Sequence, residues 1–306
     1  MSLTLILAVL LDQWLGEPKK YHPLVFFGTL ANQVENEFRR STYSDNQQRL
    51  WGLFALILMV CPFSLLVYIL SQFDLINSFI APIIVYLSIA PKSLKQHAIS
   101  VLNALNLHDL ALAQKQVGMI VSRQTDKMTE EDVRKACIES VLENGADAIF
   151  APVFWFIIAG PTGVIVYRLS NTLDAMWGYK SPRFLHFGWA AARFDDVLNW
   201  IPSRLTALSY ALLGNTKLAL KCWKEQAHLL DSPNAGVVMT SGAGSLNLKL
   251  GGAAWYHGKI KQKVFFGGQN NPLNNDIYNA NTLITRCLYL WILAVIILDF
   301  LGNSFA

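Results

Sequence analysis

The sequence predicts an all-α, polytopic membrane protein built from short or re-entrant apolar helices and cytoplasm-facing amphipathic helices. Composition is the first ground: of 306 residues, 53% are hydrophobic and 15% charged, against roughly 25% charged in a typical soluble domain. The second is clustering, because the apolar residues gather into runs at Ser2–Leu11, Trp51–Leu70, Ile76–Ala90, Ala148–Tyr167, Ile201–Leu213 and Cys287–Leu301. The third is where the cations fall. None of the 25 Lys and Arg residues lies in the connection 71–77 or after Arg286, so the positive-inside rule places the large polar stretches in the cytoplasm and that connection and the tail outside.

The first run has no basic residue ahead of it and no small-x-small site behind it, and Asp12 follows at once. It reads as a retained helix rather than a cleaved signal. Trp51–Leu70 and Ala148–Tyr167 reach the ~20 residues that span a bilayer; the shorter runs tilt, dip in or lie along the interface. Ala148–Tyr167 is interrupted by Ala-Gly-Pro-Thr-Gly at 159–163. A single crossing there would put 91–145 and 168–200 on opposite sides, against the charge pattern. Either the run is one kinked span, or it re-enters and returns to the side it came from, with its broken backbone covered by protein or a cavity. Ile201–Leu213, bounded by Pro202 and Gly214, is too short to cross. The expected organisation is one membrane domain: 1–90 as an N-terminal helix and transmembrane hairpin, 91–282 as cytoplasm-facing helices with re-entrant segments, and 283–306 as a C-terminal transmembrane helix.

Cys61, Cys137, Cys222 and Cys287 are far apart and form no CxxC pair, so no disulfide framework or zinc site is expected. A net charge of +4, dispersed along the chain, is too modest to argue for nucleic acid, and none is expected as a partner.

Three polar clusters are candidate sites. In 128–148 a Thr129 N-cap and acidic first turn begin a helix on which Glu139, Glu143 and Asp147 stand four apart. Like charges in that spacing oppose a helix unless a cation relieves them; the alternative is a solvated acidic face. In 168–204, Asp195 and Asn199 form an i,i+4 pair and Arg193 and Asp196 an i,i+3 pair, close to Trp189 and Trp200. Oxygens for a metal and donors for phosphate thus occur together, although Arg193–Asp196 could also be an ordinary ion pair. In 229–263 a Ser232-Pro-Asn-Ala-Gly236 turn precedes the small-residue run Thr240–Ser245, which either lets backbone amides approach an anion or packs helices closely. It is not a P-loop, since Ile260 follows Lys259.

The blocks "HPLVFFG" (22–28), "ESVLEN" (139–144), "APVFW" (151–155), "NTLDAMWGY" (171–179), "FGWAAARFDDVLNWIPSRLTAL" (187–208), and "SPNAG" with "LGGAAWYHGK" (232–259) resemble the CobD/CbiB family of cobalamin biosynthesis. The resemblance runs from about residue 5 to 265 in the family's order. It implies adenosylcobinamide-phosphate synthase activity at the cell inner membrane: ATP-dependent, Mg²⁺-dependent amide formation between adenosylcobyric acid and aminopropanol, usually as its phosphate. It further implies the lipid bilayer, and association with other membrane-bound late enzymes of the pathway, as partners. The site residues it implies are Glu139, Glu143, Asp174, Asp195 and Asp196 for catalysis, with Glu139, Glu143 and Asp196 for the metal. Arg123, Asn171, Arg193, Asn199, Arg204, Ser232 and Asn234 would hold substrate and phosphate. Two departures stand out: Arg123-Gln124-Thr125 where the family usually reads Arg-Asp-Thr, and Glu17 where it usually has Asp.

Two other classes fit parts of the chain. A non-catalytic regulator would keep the membrane segments, but Asp174, Asp195, Asp196 and Asn234 are retained. A transporter would explain the broken segment, but its charges usually lie near the midplane rather than outside the apolar runs.

Overall fold

The computed structural model describes residues 1–18, 22–256 and 258–304. It is 75% helical, and four of its segments are long and apolar enough to cross a membrane: Asp45–Ser71, Asp74–Asn106, Glu130–Trp177 and Asn274–Gly302. The chain divides into two compact units, Met1–Ala90 with Ala151–Asn199, and Pro91–Phe150 with Trp200–Ala306. Each is assembled from two separate stretches, where the sequence suggested one domain in three consecutive parts.

The first unit holds α1 (Ser2–Leu15), α2 (Pro23–Phe38), α3 (Asp45–Ser71), α4 (Asp74–Ser88), α8 (Ala151–Trp177) and α9 (Trp189–Leu198). Local chemistry sets its helix starts. His22 accepts the Leu24 N–H through Nδ1 with Pro23 at the first turn of α2, and Ser44 and Gln47 form a reciprocal capping box on α3. The core gathers Phe27 and Ala31 of α2, Ala55, Leu56, Met59 and Val60 of α3, Leu169, Leu173 and Trp177 of α8, and Phe187. The opposite side of α3 exposes Leu53, Phe54, Ile57, Leu58, Leu65 and Leu66. A face this apolar suits hydrocarbon and not water.

Within α8 the chain doubles back. Ala159 and Gly160 leave helical geometry, Gly160 at φ 59°, and a Cβ on Gly163 would fall 2.6 Å from the Trp155 carbonyl oxygen. Residues eight apart on a straight helix are separated by ~12 Å along the axis. The reversal brings Ala151 and Tyr167 into one cluster with Leu198, and Trp155 Nε1 donates to the Leu198 carbonyl at 3.1 Å. A glycine without side chain is required at 163 for that approach.

The second unit holds α5 (Pro91–Asn106), α6 (Leu110–Val117), α7 (Glu130–Gly145), a π-helical turn (Ala146–Phe150), α10 (Trp200–Leu213), α11 (Thr216–Gln226), α12 (Ala235–Leu246) and α13 (Asn274–Ser304). The predicted Thr129 cap is present, with Asp132 completing the box. Tyr210 of α10 is fully buried and donates to the Leu142 carbonyl at 2.9 Å; Trp291 of α13 donates to Ser209 Oγ at 2.9 Å. The 249–267 stretch forms two short antiparallel pairs, β1 (Lys249–Gly251) with β4 (Phe265–Gly267), and β2 (Ala254–Tyr256) with β3 (Lys259–Lys261). The C-terminal helix begins at Asn274 rather than 283, because Asp276 Oδ2 accepts the Leu273 N–H and caps a polar first turn.

One expectation is corrected here. Thr240–Ser245 lies inside α12, where its amides are spent on the helix, so the run cannot present them to an anion. It packs closely instead, with Ser241 Oγ donating to the Ala207 carbonyl of α10 at 2.7 Å.

Candidate functional site

In the first unit, α8 and α9 bring the "NTLDAMWGY" and "FDDVLN" blocks together. Asp195 is nearly buried, and its two carboxylate oxygens accept from Asn171 Nδ2 at 3.2 Å and Asn199 Nδ2 at 2.9 Å. Tyr167 donates to Asn199 Oδ1 at 3.0 Å, which fixes the amide so that its NH₂ faces the carboxylate. Burial raises the Asp195 carboxyl to about 6; the Asn171 and Asn199 hydrogen bonds oppose the rise and the charge of Asp196 adds to it. The charges of both Asp195 and Asp196 also reach Asp174. Arg193 pairs with Asp196 at 3.6 Å on an exposed edge.

Two contributors were not singled out from the sequence. Arg168 reaches Asn171 Oδ1 at 3.5 Å, and its charge also reaches His22, whose imidazole is shifted down by burial, up by Glu17 and down by Arg168. "HPLVFFG" and the Glu17 position are thereby linked through the charge of Arg168 to Asn171, a hydrogen-bond partner of Asp195. A lone His before Pro carries no signal for this; its cap on α2 does not reveal which helix lies opposite.

In the second unit, Glu139 is engaged on both oxygens. Oε2 accepts from Arg123 and Oε1 from the Gly251 N–H at 2.7 Å. Gly251 sits at φ 82°, and a Cβ there would come within 2.2 Å of the Val264 carbonyl oxygen. Glu143 is different: among the described residues its carboxylate accepts no hydrogen bond, and the charges reaching it are those of Glu139, Lys263 and Arg123. Asp147 falls in the π-helical turn and acts on Tyr210 instead. The acidic stripe therefore breaks after Gly145.

Gln124 explains the departure at its position. Its N–H donates to the Trp255 carbonyl at 2.9 Å and its Oε1 accepts the Gly258 N–H at 2.8 Å. The side chain serves as a backbone acceptor holding the β2–β3 hairpin, a role a neutral amide fills as well as a carboxylate. His257 of the same block lies outside the described residues.

Also in the second unit, Asn234 Oδ1 accepts from Ser203 Oγ at 3.3 Å and from Arg204 at 3.2 Å. Arg204 lies over the Trp200 ring, 4.3 Å from its centroid, and donates to the Trp200 carbonyl at 2.7 Å. Ser232 Oγ accepts from the Asn234 and Ala235 amides and so holds the turn that leads into α12.

The predicted residues thus form three groups: Asn171, Asp174, Arg193, Asp195, Asp196 and Asn199; Arg123, Glu139 and Glu143; and Arg204, Ser232 and Asn234. Among the described residues, no three His, Cys, Asp or Glu side chains converge to hold a metal ion.

Residues 5–284 match the family described as CobD/Cbib protein. The chain is 49% identical over 294 residues to "Cobalamin biosynthesis protein CobD" of Stutzerimonas stutzeri (strain A1501), covering 96% of each chain. To the protein of the same description from Chromobacterium violaceum it is 48% identical, covering 95% of this chain and 94% of the relative. The corresponding Clostridium perfringens protein is 32% identical, with 96% of each chain covered. No solved structure matches. With the match spanning nearly the whole chain, and with the blocks that build the acidic cluster inside it, the protein belongs to the CobD/Cbib family.

Proposed function

We propose that this protein acts in cobalamin biosynthesis as an ATP-dependent ligase of the membrane, joining the carboxylate of adenosylcobyric acid to the amine of aminopropanol or its phosphate. The observation that carries the proposal is the buried Asp195, held on both oxygens by Asn171 and Asn199 with Asp174 and Asp196 beside it. Such a group can receive an ammonium and take its proton, which an amine must lose before it attacks an activated carboxyl. A carboxyl pushed up to about 6 is a better base than an ordinary one while still ionised at neutral pH. Asp195 is the proposed base; Asp174 and Asp196 hold the amine's positive charge.

Magnesium, when bound, would screen the charge of transferring phosphates. The residues present fit such an ion without a protein cage, because Mg²⁺ is commonly held by one or two carboxylates together with substrate phosphates and water. Two separate candidates are suited to it: Glu143 in the second unit, with no hydrogen bond to its carboxylate among the described residues, or Asp196 in the first, 35% exposed, in place of its role toward the amine. Glu139 already has its charge balanced by Arg123 and a hydrogen bond on each oxygen, so its proposed role is to position Arg123. Arg204 and Asn234 are proposed to bind polar substrate groups.

The test is to incubate membranes carrying the protein with adenosylcobyric acid, ATP and aminopropanol phosphate and to look for the amide by mass. Product that requires all three supports the proposal. No product from a folded, membrane-inserted protein, with either free or phosphorylated amine, overturns it.

A further inference from the structure

An open-mouthed cavity of ≈ 170 Å³ lies in the second unit, between the Arg123 loop, the first turns of α7 and the β strands. One water needs about 10–15 Å³ of such space, so the cavity admits something on the order of ten water positions. Its charged lining comprises Arg123, Lys127 and Lys135 against the single carboxylate of Asp132, which is already bound to Thr129 in the α7 cap. Gly251 to Ala254 line it with little more than backbone.

Of these cations Lys127 is held in a way that leaves its charge available, while Arg123 and Lys135 are ion-paired to Glu139 and Glu131 and retain further N–H donors. Lys127 Nζ stands 4.0 Å from the centroid of the Trp255 ring. Lys135 Nζ and Lys249 Nζ lie 5.3 and 4.5 Å from the Phe265 centroid. An aromatic face positions an ammonium without cancelling it. Lys135 does bond Glu131 at 2.6 Å, but an ammonium has three donors, and the Arg123 guanidinium has five of which the Glu139 contact takes a part.

We infer that this cavity binds a phosphate group, with Lys127, Lys135 and Arg123 as its donors. The ligase reading bears only on the source of the phosphate, a nucleoside triphosphate or the phosphorylated amine; the cavity's chemistry stands apart from it.

The test uses the full chain in nanodiscs and titrates it calorimetrically with inorganic tripolyphosphate, ATP and aminopropanol phosphate, for the parent, Lys127→Glu and Lys127→Arg. Lys127 is exposed, so neither variant disturbs the core; Lys135→Gln gives a second measurement. A charge-assisted hydrogen bond contributes about 1.5–3 kcal/mol, or roughly 10- to 100-fold in affinity. Lys127→Glu should therefore weaken binding at least tenfold, Lys135→Gln should weaken it, and Lys127→Arg should stay near the parent. Binding of tripolyphosphate and ATP, lost in Lys127→Glu, supports the inference and assigns a nucleotide; binding of aminopropanol phosphate alone, lost in the same way, supports it and assigns the amine. Parent affinity in Lys127→Glu for every probe, or no binding by the parent, overturns it. Lys127-dependent binding without amide synthesis would remove the ligase reading and leave the site. Amide synthesis with parent KM values in Lys127→Glu would do the reverse.

Discussion

The Gly251 N–H donates to Glu139 Oε1 across 2.7 Å, joining a helix residue to a strand residue 112 positions away. Arg123 completes the bond set on the other oxygen. The Glu139 carboxylate is the pin between the Arg123 loop, α7 and β1.

Glu139→Gln should consequently act first on stability. Removing one partner of a buried ion pair costs about 3–5 kcal/mol, and thermal unfolding in detergent should show it. Glu143→Gln should leave the melting temperature nearly unchanged and raise the Mg²⁺ demand or the KM for the amine. Equal melting temperatures for Glu139→Gln and parent would refute the pin.

Asp196→Asn keeps shape and removes charge. We expect amide formation to fall about 100-fold, ~3 kcal/mol of transition-state stabilisation, with the protein still in membranes. Near-parent turnover would reduce Asp196 to its exposed ion pair with Arg193.

The Asp195 carboxyl, at about 6 by burial and the Asp196 charge against its two amide hydrogen bonds, gives a pH prediction. Between its ordinary 3.8 and about 6 it is protonated when folded and ionised when unfolded, so it favours the fold at low pH and loses that contribution as pH rises through 6. As a base it works ionised, and kcat/KM should drop as pH falls below about 6. The carboxyl stretch in infrared titration should move down in midpoint for Asp196→Asn and up for Asn171→Ala. Shifts in the same direction would show that the two neighbours do not act as charge and hydrogen bond.

Gly163→Val places a branched side chain against the Trp155 carbonyl, where even a Cβ lies at 2.6 Å. Overpacking of this kind costs about 1–3 kcal/mol, and the Trp155 fluorescence environment should change with the loss of its bond to Leu198. An unchanged melting curve would mean the reversal in α8 is looser than its geometry.

Sidedness needs an introduced thiol, because Cys137 and Cys222 are both buried and would resist reagent from either side. If the polar stretches face the cytoplasm, Lys221→Cys on exposed α11 should react with a membrane-impermeant maleimide in inverted vesicles and not in intact cells. Labelling in intact cells would reverse the assignment.

Helicity, the apolar runs, the Thr129 cap and the Asp195–Asn199 and Arg193–Asp196 pairs were legible in the sequence, because each depends on residues within a turn or two of one another. The break at 159–160 was legible too, since Gly and Pro mark it; whether it kinked or reversed was not, because that depends on Trp155 and Leu198 holding the returning segment. Side-chain partners over long separations were equally hidden. Glu139 and Glu143 are the same residue type four apart on one helix, yet one is committed to Arg123 and Gly251 and the other accepts no hydrogen bond among the described residues. Helical spacing specifies which side chains share a face; what that face meets is decided by chain brought in from 112 residues away, and only the tertiary structure supplies it.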